Sequence, residues 1–358
     1  MNHTVGWQSL CSADPVGGFV RGGYRMATTL HRRHFMGRQA GRAALAPVAV
    51  MVTAFTAGFC TAATTEPPAA IDTCATQPAT DWGSSSRHAR RRAVEALPLA
   101  QMTPGDRQAI EASLASTTLY RRLPVELFAC DGDLLSFALD KPEAIVDIWR
   151  LLGISRLSLD PAGPAQWRLA DGYGTVGLLR LAHRERRPEG GMLVFYGRGA
   201  YTGPLSPKNL TGSCVLMIRY RQAEPMVDGR QRQAVQIDAF LDMDGLGLEI
   251  VTRTLQPLIV RSAAANLHEI CLFMASLSDS AAANPEGVAT LARRLPRTAL
   301  ADQQALATIA LTSARRQRQP QPAVQLADNE EQDAADRLTV DLAARWLKSE
   351  ELDGLKRR

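Results

Sequence analysis

Beyond residue 63 the chain carries three histidines, His88, His183 and His268. His268 has the neighbours best suited to chemistry. Glu269 follows it, and Asn266 lies two residues before it, inside a stretch with helical apolar spacing. An imidazole beside a carboxylate and an amide can move a proton or orient a polar group of a ligand. The same three residues can also sit on a solvated helix face with no chemical role. A Ser-His-Asp or Cys-His set assembled in space stays open, but no G-x-S-x-G elbow supports one. No catalytic residue is assigned.

Two further patterns are weaker. Gly172-Tyr173-Gly174-Thr175-Val176-Gly177 matches the G-x-G-x-x-G of dinucleotide sites. Such a loop must follow a buried strand and open a helix. The preceding QWRLAD is too polar for that strand, and MLVFYGRG, the next strand candidate, lacks the terminal acid that holds ribose. A Gly-rich hairpin turn accounts for the match better. Asp242, Asp244, Gly245 and Glu249 suggest calcium, but Phe240 and Val251 stand where an EF-hand loop needs oxygen ligands. Cys74, Cys130, Cys214 and Cys271 are widely spaced with no C-x-x-C, so no zinc site is supported. No metal and no cofactor is expected.

The summed charge points towards nucleic acid until it is divided. The chain has 41 Lys+Arg and 36 Asp+Glu. Residues 1–63 hold six of the arginines and one of the acids, which leaves 35 of each in the body. A neutral body lacks the basic surface that releases counterions from duplex DNA, so no nucleic-acid partner is expected. The arginines of the first segment run into Ala43–Ala63, a stretch with no charge. Basic then apolar is the order of an export signal. Arg32-Arg33, followed by His34-Phe35-Met36, resembles the twin-arginine motif of bacterial export leaders. It departs from that motif at His31, where Ser or Thr is usual, and at Gly37, where Lys is common. The resemblance implies delivery to the periplasm or cell envelope of a protein already folded. If the leader is retained, residues 43–63 are long enough to anchor it in a membrane.

The elements that would position any site follow from periodicity. Residues 64–118 read as a linker and a short helix, with Thr103-Pro104 and Asp106 as the helix start. PVELFAC (124–130) reads as a strand, and 133–139 and 142–152 as two helices, the second ended by Gly153. Strands follow around Leu157, Trp167, 175–184, 192–201, 214–221 and 235–243. In the last of these, Val235, Ile237, Ala239, Leu241 and Met243 share one face, while Gln236, Asp238, Phe240 and Asp242 share the other. From about Leu246 the period becomes helical, with Pro257 expected to kink or interrupt the helix. Residues 281–314 form a helical extension, and 315–358 a linker and a terminal helix with the thin stripe Leu338, Leu342, Trp346.

The order strand, two helices, six strands, long helix spans residues 119–280. It resembles the helix-grip fold of START-like proteins. The expected class is therefore α+β, a curved antiparallel sheet packed on a long C-terminal helix, with extra helices at both ends. The resemblance implies an apolar cavity between sheet and helix, and hence an exported, non-enzymatic protein that binds a small apolar ligand or lipid. Trp149, Trp167, Phe195, Tyr201, Asn266 and His268 are the candidate ligand-binding residues. Phe195 and Tyr201 belong to the stretch 195–205, the richest in aromatics and glycines. The alternatives are a cyclase- or hydrolase-like enzyme on the same scaffold, using His268 or His183, and an envelope scaffold with a closed core.

Overall fold

The computed structural model describes residues 83–202, 210–244, 248–317, 328–347 and 349–356. The segment read as an export leader, the expected linker up to residue 82, Cys74 and the end of the aromatic-glycine stretch lie outside them.

Two helices open the domain. Ser86 caps α1 (Arg87–Glu95) by accepting from the Ala89 amide. Thr103 caps α2 (Pro104–Ala115) by accepting from the Asp106 amide, with the ring of Pro104 preset for the first turn. The chain then enters the edge of a sheet. β1 (Leu119–Arg122) and β2 (Glu126–Ala129) both pair with the last strand, Leu119 opposite Leu241 and Glu126 opposite Val235. Pro124 separates them, because a residue with no amide hydrogen cannot continue the ladder.

Asp131 caps α3 (Gly132–Asp140) by accepting from the Asp133 and Leu134 amides. α4 (Pro142–Leu151) ends where Gly153 takes a left-handed φ of 74°. An antiparallel run follows: β3 (Ser158–Gly163), β4 (Gln166–Ala170), β5 (Thr175–Arg187), β6 (Gly190–Tyr201), β7 (Leu210–Ala223) and β8 (Arg232–Met243). The spatial order is β1-β8-β7-β6-β5-β4-β3, with β2 beside β8. The G-x-G-x-x-G match is the β4–β5 hairpin turn. There the buried Asp171 accepts from the amides of Tyr173 and Thr175, and a strand follows instead of a helix.

Both faces of the sheet are covered. The inner residues of β8, Val235, Ile237, Ala239 and Leu241, join the main core, while Phe240 on the outer face packs with Val215, Met217 and Val194. The inner face meets α3, α4 and α5 (Leu248–Ala283, 36 residues). The outer face meets α1 and α2 through Ala93, Leu97, Ile110 and Leu114. An ion pair between Asp106 and Arg180 also ties α2 to β5.

The helix α5 runs through Pro257 without a break. One lost backbone bond does not end a helix whose following turns are buried at Ala263, Leu267, Met274 and Leu277. Its far side is covered in turn by α6 (Pro285–Arg293), α7 (Leu300–Gln317) and α8 (Asp328–Ala343). The terminal helix expected over 330–358 is two, α8 and α9 (Ser349–Lys356). The turn between them lets the ring of Trp346 reach Phe273, 5.6 Å between centroids, and lets its indole N–H donate to Glu269 at 2.9 Å.

The outer face also holds a fully buried carboxylate, Asp238. The Tyr120 hydroxyl donates to it at 2.6 Å, Arg122 Nε at 2.8 Å, and Arg219 through its guanidinium. Burial, followed by the bond to Asp238, pushes the Tyr120 phenol far above its ordinary range. Removing the shared acceptor strands the buried Tyr120 hydroxyl and two partly buried guanidinium groups. Asp238→Ala should therefore cost about 3–5 kcal/mol in urea denaturation.

Candidate ligand cavity

Alternation along the strands and helical spacing along α3, α4 and α5 bring apolar side chains to one point between sheet and helices. They leave a cavity of about 110 Å³. Phe195, Ile218 and Ile237 form its floor on β6, β7 and β8. Ile145 and Trp149, four residues apart on α4, form one wall, and Leu267, Cys271 and Met274 on α5 form the roof. The lining carries no charged side chain.

The residues singled out from sequence are distributed unevenly around this space. Trp149 and Phe195 line it. Trp149 is wedged edge-on against Phe273, with ring centroids 5.9 Å apart. Trp167 stands one layer back: its ring lies 6.0 Å from Phe195 and its N–H donates to Glu143 at 2.7 Å. Tyr201 is buried at the end of β6, paired with Thr175 and Leu210, outside the lining. Asn266 and His268 lie on α5 beside the lining residue Leu267 but do not line the space themselves. His183 sits on the bulge of β5 opposite Val194, hence on the outer face.

The sequence reading passed over one residue, Glu126. It is 4% exposed on β2 and lies opposite Val235. His268 Nδ1 is 3.0 Å from its Oε2, and Oε1 has no hydrogen-bond partner among the described residues. The signal was present in PVELFAC. Glu126 shares the period-2 face of Phe128, so a carboxylate stands where the strand pattern calls for an apolar side chain. The bond to Glu126 raises the His268 pKa above its ordinary 6.5, against the opposing effect of burial. Glu269 adds to the rise and Arg345 opposes it.

Other chemistry is muted. Burial keeps the thiols of Cys130, Cys214 and Cys271 protonated, with Cys214 pushed up to about 11 and the other two well above the ordinary thiol value. All three are free. Among the described residues no group of three His, Cys, Asp or Glu side chains is placed to hold a metal ion. Asp242 and Asp244, the calcium candidates, accept instead from the Ser116 and Thr211 hydroxyls. Among the described residues no helix is long and apolar enough to cross a membrane. A polar cleft of about 270 Å³ opens nearby, between the start of α3 and the β5–β6 and β7–β8 hairpins, and Leu135 lines both spaces.

No family model and no curated protein matches the chain. Among solved structures, an uncharacterized protein from Rhizobium leguminosarum is similar over 42% of this chain and 95% of its own, at 12% identity. Its TM-score is 0.23, too low to carry an argument about fold.

The His268–Glu126 pair has a pH signature. A histidine pKa raised on folding stabilises the protein fully below about pH 6.5, and that contribution is lost as pH climbs through the raised value. Denaturation midpoints followed upward from about pH 6 should fall in the wild type by a component that His268→Gln lacks. Identical profiles for the two proteins would show that the pair is not formed.

Proposed function

We propose that the chain is an exported, non-enzymatic binder of a small apolar ligand or lipid, built as a START-like helix grip. One observation carries this reading, the apolar cavity between the inner face of the sheet and α3, α4 and α5. The strand order supports it too. The first strands lie beside the last, β3 takes the far edge, two helices separate β2 from β3, and a long helix follows β8. In a helix grip that arrangement sets the long helix across the sheet and leaves space between them. The leader, read as a twin-arginine export address, would deliver the domain folded to the periplasm or cell envelope. Three free buried thiols suit a core assembled without disulfides.

Size limits the ligand. An apolar cavity of about 150 Å³ accommodates benzene. A space of about 110 Å³ is smaller, so it suits a short alkyl segment as it stands and one ring where the flexible side chain of Met274 yields. A longer acyl chain would extend past Leu135 into the polar cleft. The enzyme alternative gains little support. His268 stands outside the lining, and the buried thiols are poor nucleophiles.

Native mass spectrometry of the protein purified from its own host tests the reading. The wild type should carry a small apolar adduct. Ala138→Leu, which fills the cavity from α3, should lose it. A wild type with no adduct, together with an Ala138→Leu variant that is simply more stable, would mark the space as a packing void and sink the proposal.

A further inference from the structure

Beside the cavity, the second oxygen of Glu126 is a group that the binding reading leaves unused. It belongs to a side chain that is 4% exposed and has no hydrogen-bond partner among the described residues. An unpaired buried carboxylate oxygen is expensive, and a native structure holding one calls for a missing donor. Its position says where that donor would come from. In register Glu126 stands opposite Val235, and Phe128 follows it on the same face of β2. Both neighbours line the apolar cavity. From α5, Cys271, also a lining residue, lies near enough for the charge of Glu126 to help raise its thiol pKa. Glu126 is not itself a lining residue; it stands directly behind three that are, Phe128, Val235 and Cys271, where β2 meets α5. Its first oxygen is held by His268, which fixes the carboxylate in place.

We propose that Glu126 is the hydrogen-bond acceptor for a donor carried by the cavity's ligand, which is a small apolar molecule bearing one hydroxyl or N–H and not a plain hydrocarbon. The proposal rests on the binding reading and adds the chemical class. The apolar lining supplies affinity without direction. The carboxylate supplies direction, because a donor placed anywhere else in the lining loses its water and gains no charged partner. His268 is a positioning residue in this scheme and touches no ligand atom.

Phenol and fluorobenzene separate the possibilities, since they are nearly equal in size and only phenol carries a donor. Both would be titrated into the full chain and followed by calorimetry. Fluorobenzene is the more apolar, so a preference for phenol requires a partner for its hydroxyl. The wild type should prefer phenol. Glu126→Met should weaken phenol on the order of tenfold and leave fluorobenzene within about twofold. If the wild type binds neither, the cavity reading fails and this proposal fails with it. If it binds fluorobenzene at least as tightly as phenol, or if Glu126→Met keeps the preference for phenol, the cavity stands and the acceptor role is overturned. A second measurement needs no variant that must fold. In wild-type protein isotope-labelled at its glutamate carboxyls, phenol should shift the Glu126 resonance and fluorobenzene should not. No phenol-specific shift overturns the proposal.

Discussion

A sheet that carries apolar side chains on both faces has to be covered twice, and the architecture of this domain follows from that requirement. β8 states it most plainly. Val235, Ile237, Ala239 and Leu241 face one way and Phe240 the other, and all are buried. One cover is α5 with α3 and α4. The other is the pair α1 and α2, which closes over Phe240, Val215 and Met217. The second cover also explains how Asp238 survives at zero exposure, since β1 and β7 bring it a tyrosine and two arginines. Breaking such a group costs far more than forming it gains, so its effect is to fix the register of β1, β7 and β8.

Covering the sheet twice also bears on the cavity. Protein interiors close over small gaps when their walls can move. Here the floor is the centre of a sheet braced from behind, and the roof is a helix with other helices at its back. Neither wall is free to collapse inward. A space of this kind, lined by Ile, Leu, Phe and Trp, stays dry and suits apolar occupants. At its edge the His268–Glu126 pair brings charge beside an apolar lining without placing it among the lining residues.

Much of this was legible in the sequence, for identifiable reasons. The alternation in 235–243 gave both faces of β8, and the Thr103-Pro104-Asp106 signal gave the start of α2. These features are local, and local chemistry decides them. What α1 covers is not local. Its sequence is mostly arginine and alanine, and the two alanines that matter, Ala89 and Ala93, carry too little surface to stand out from the charge around them. Pro257 was misleading because the penalty for an interior proline is set against burial further along the helix, which a window of sequence does not contain. Of the site, the aromatics Trp149 and Phe195 were found because large apolar side chains advertise burial. Tyr201 was drawn in by composition and Asn266 by its place beside His268 on the long helix, and neither lines the cavity. Glu126 was hidden by its setting, a single charge in a short strand, whose meaning depends on a helix more than 140 residues away.

The helices behind α5 also bear on time. Moving α5 outward means pulling Phe273 from Trp346 and Glu269 from both Arg345 and Trp346. α3 is a shorter lever, nine residues capped by Asp131 and bordered by the polar cleft at Leu135. Traffic through the cavity would therefore follow the breathing of α3, a local opening that leaves the rest of the domain folded. Under that regime the residence time of an occupant is set as much by how often α3 lifts as by how well the occupant fits.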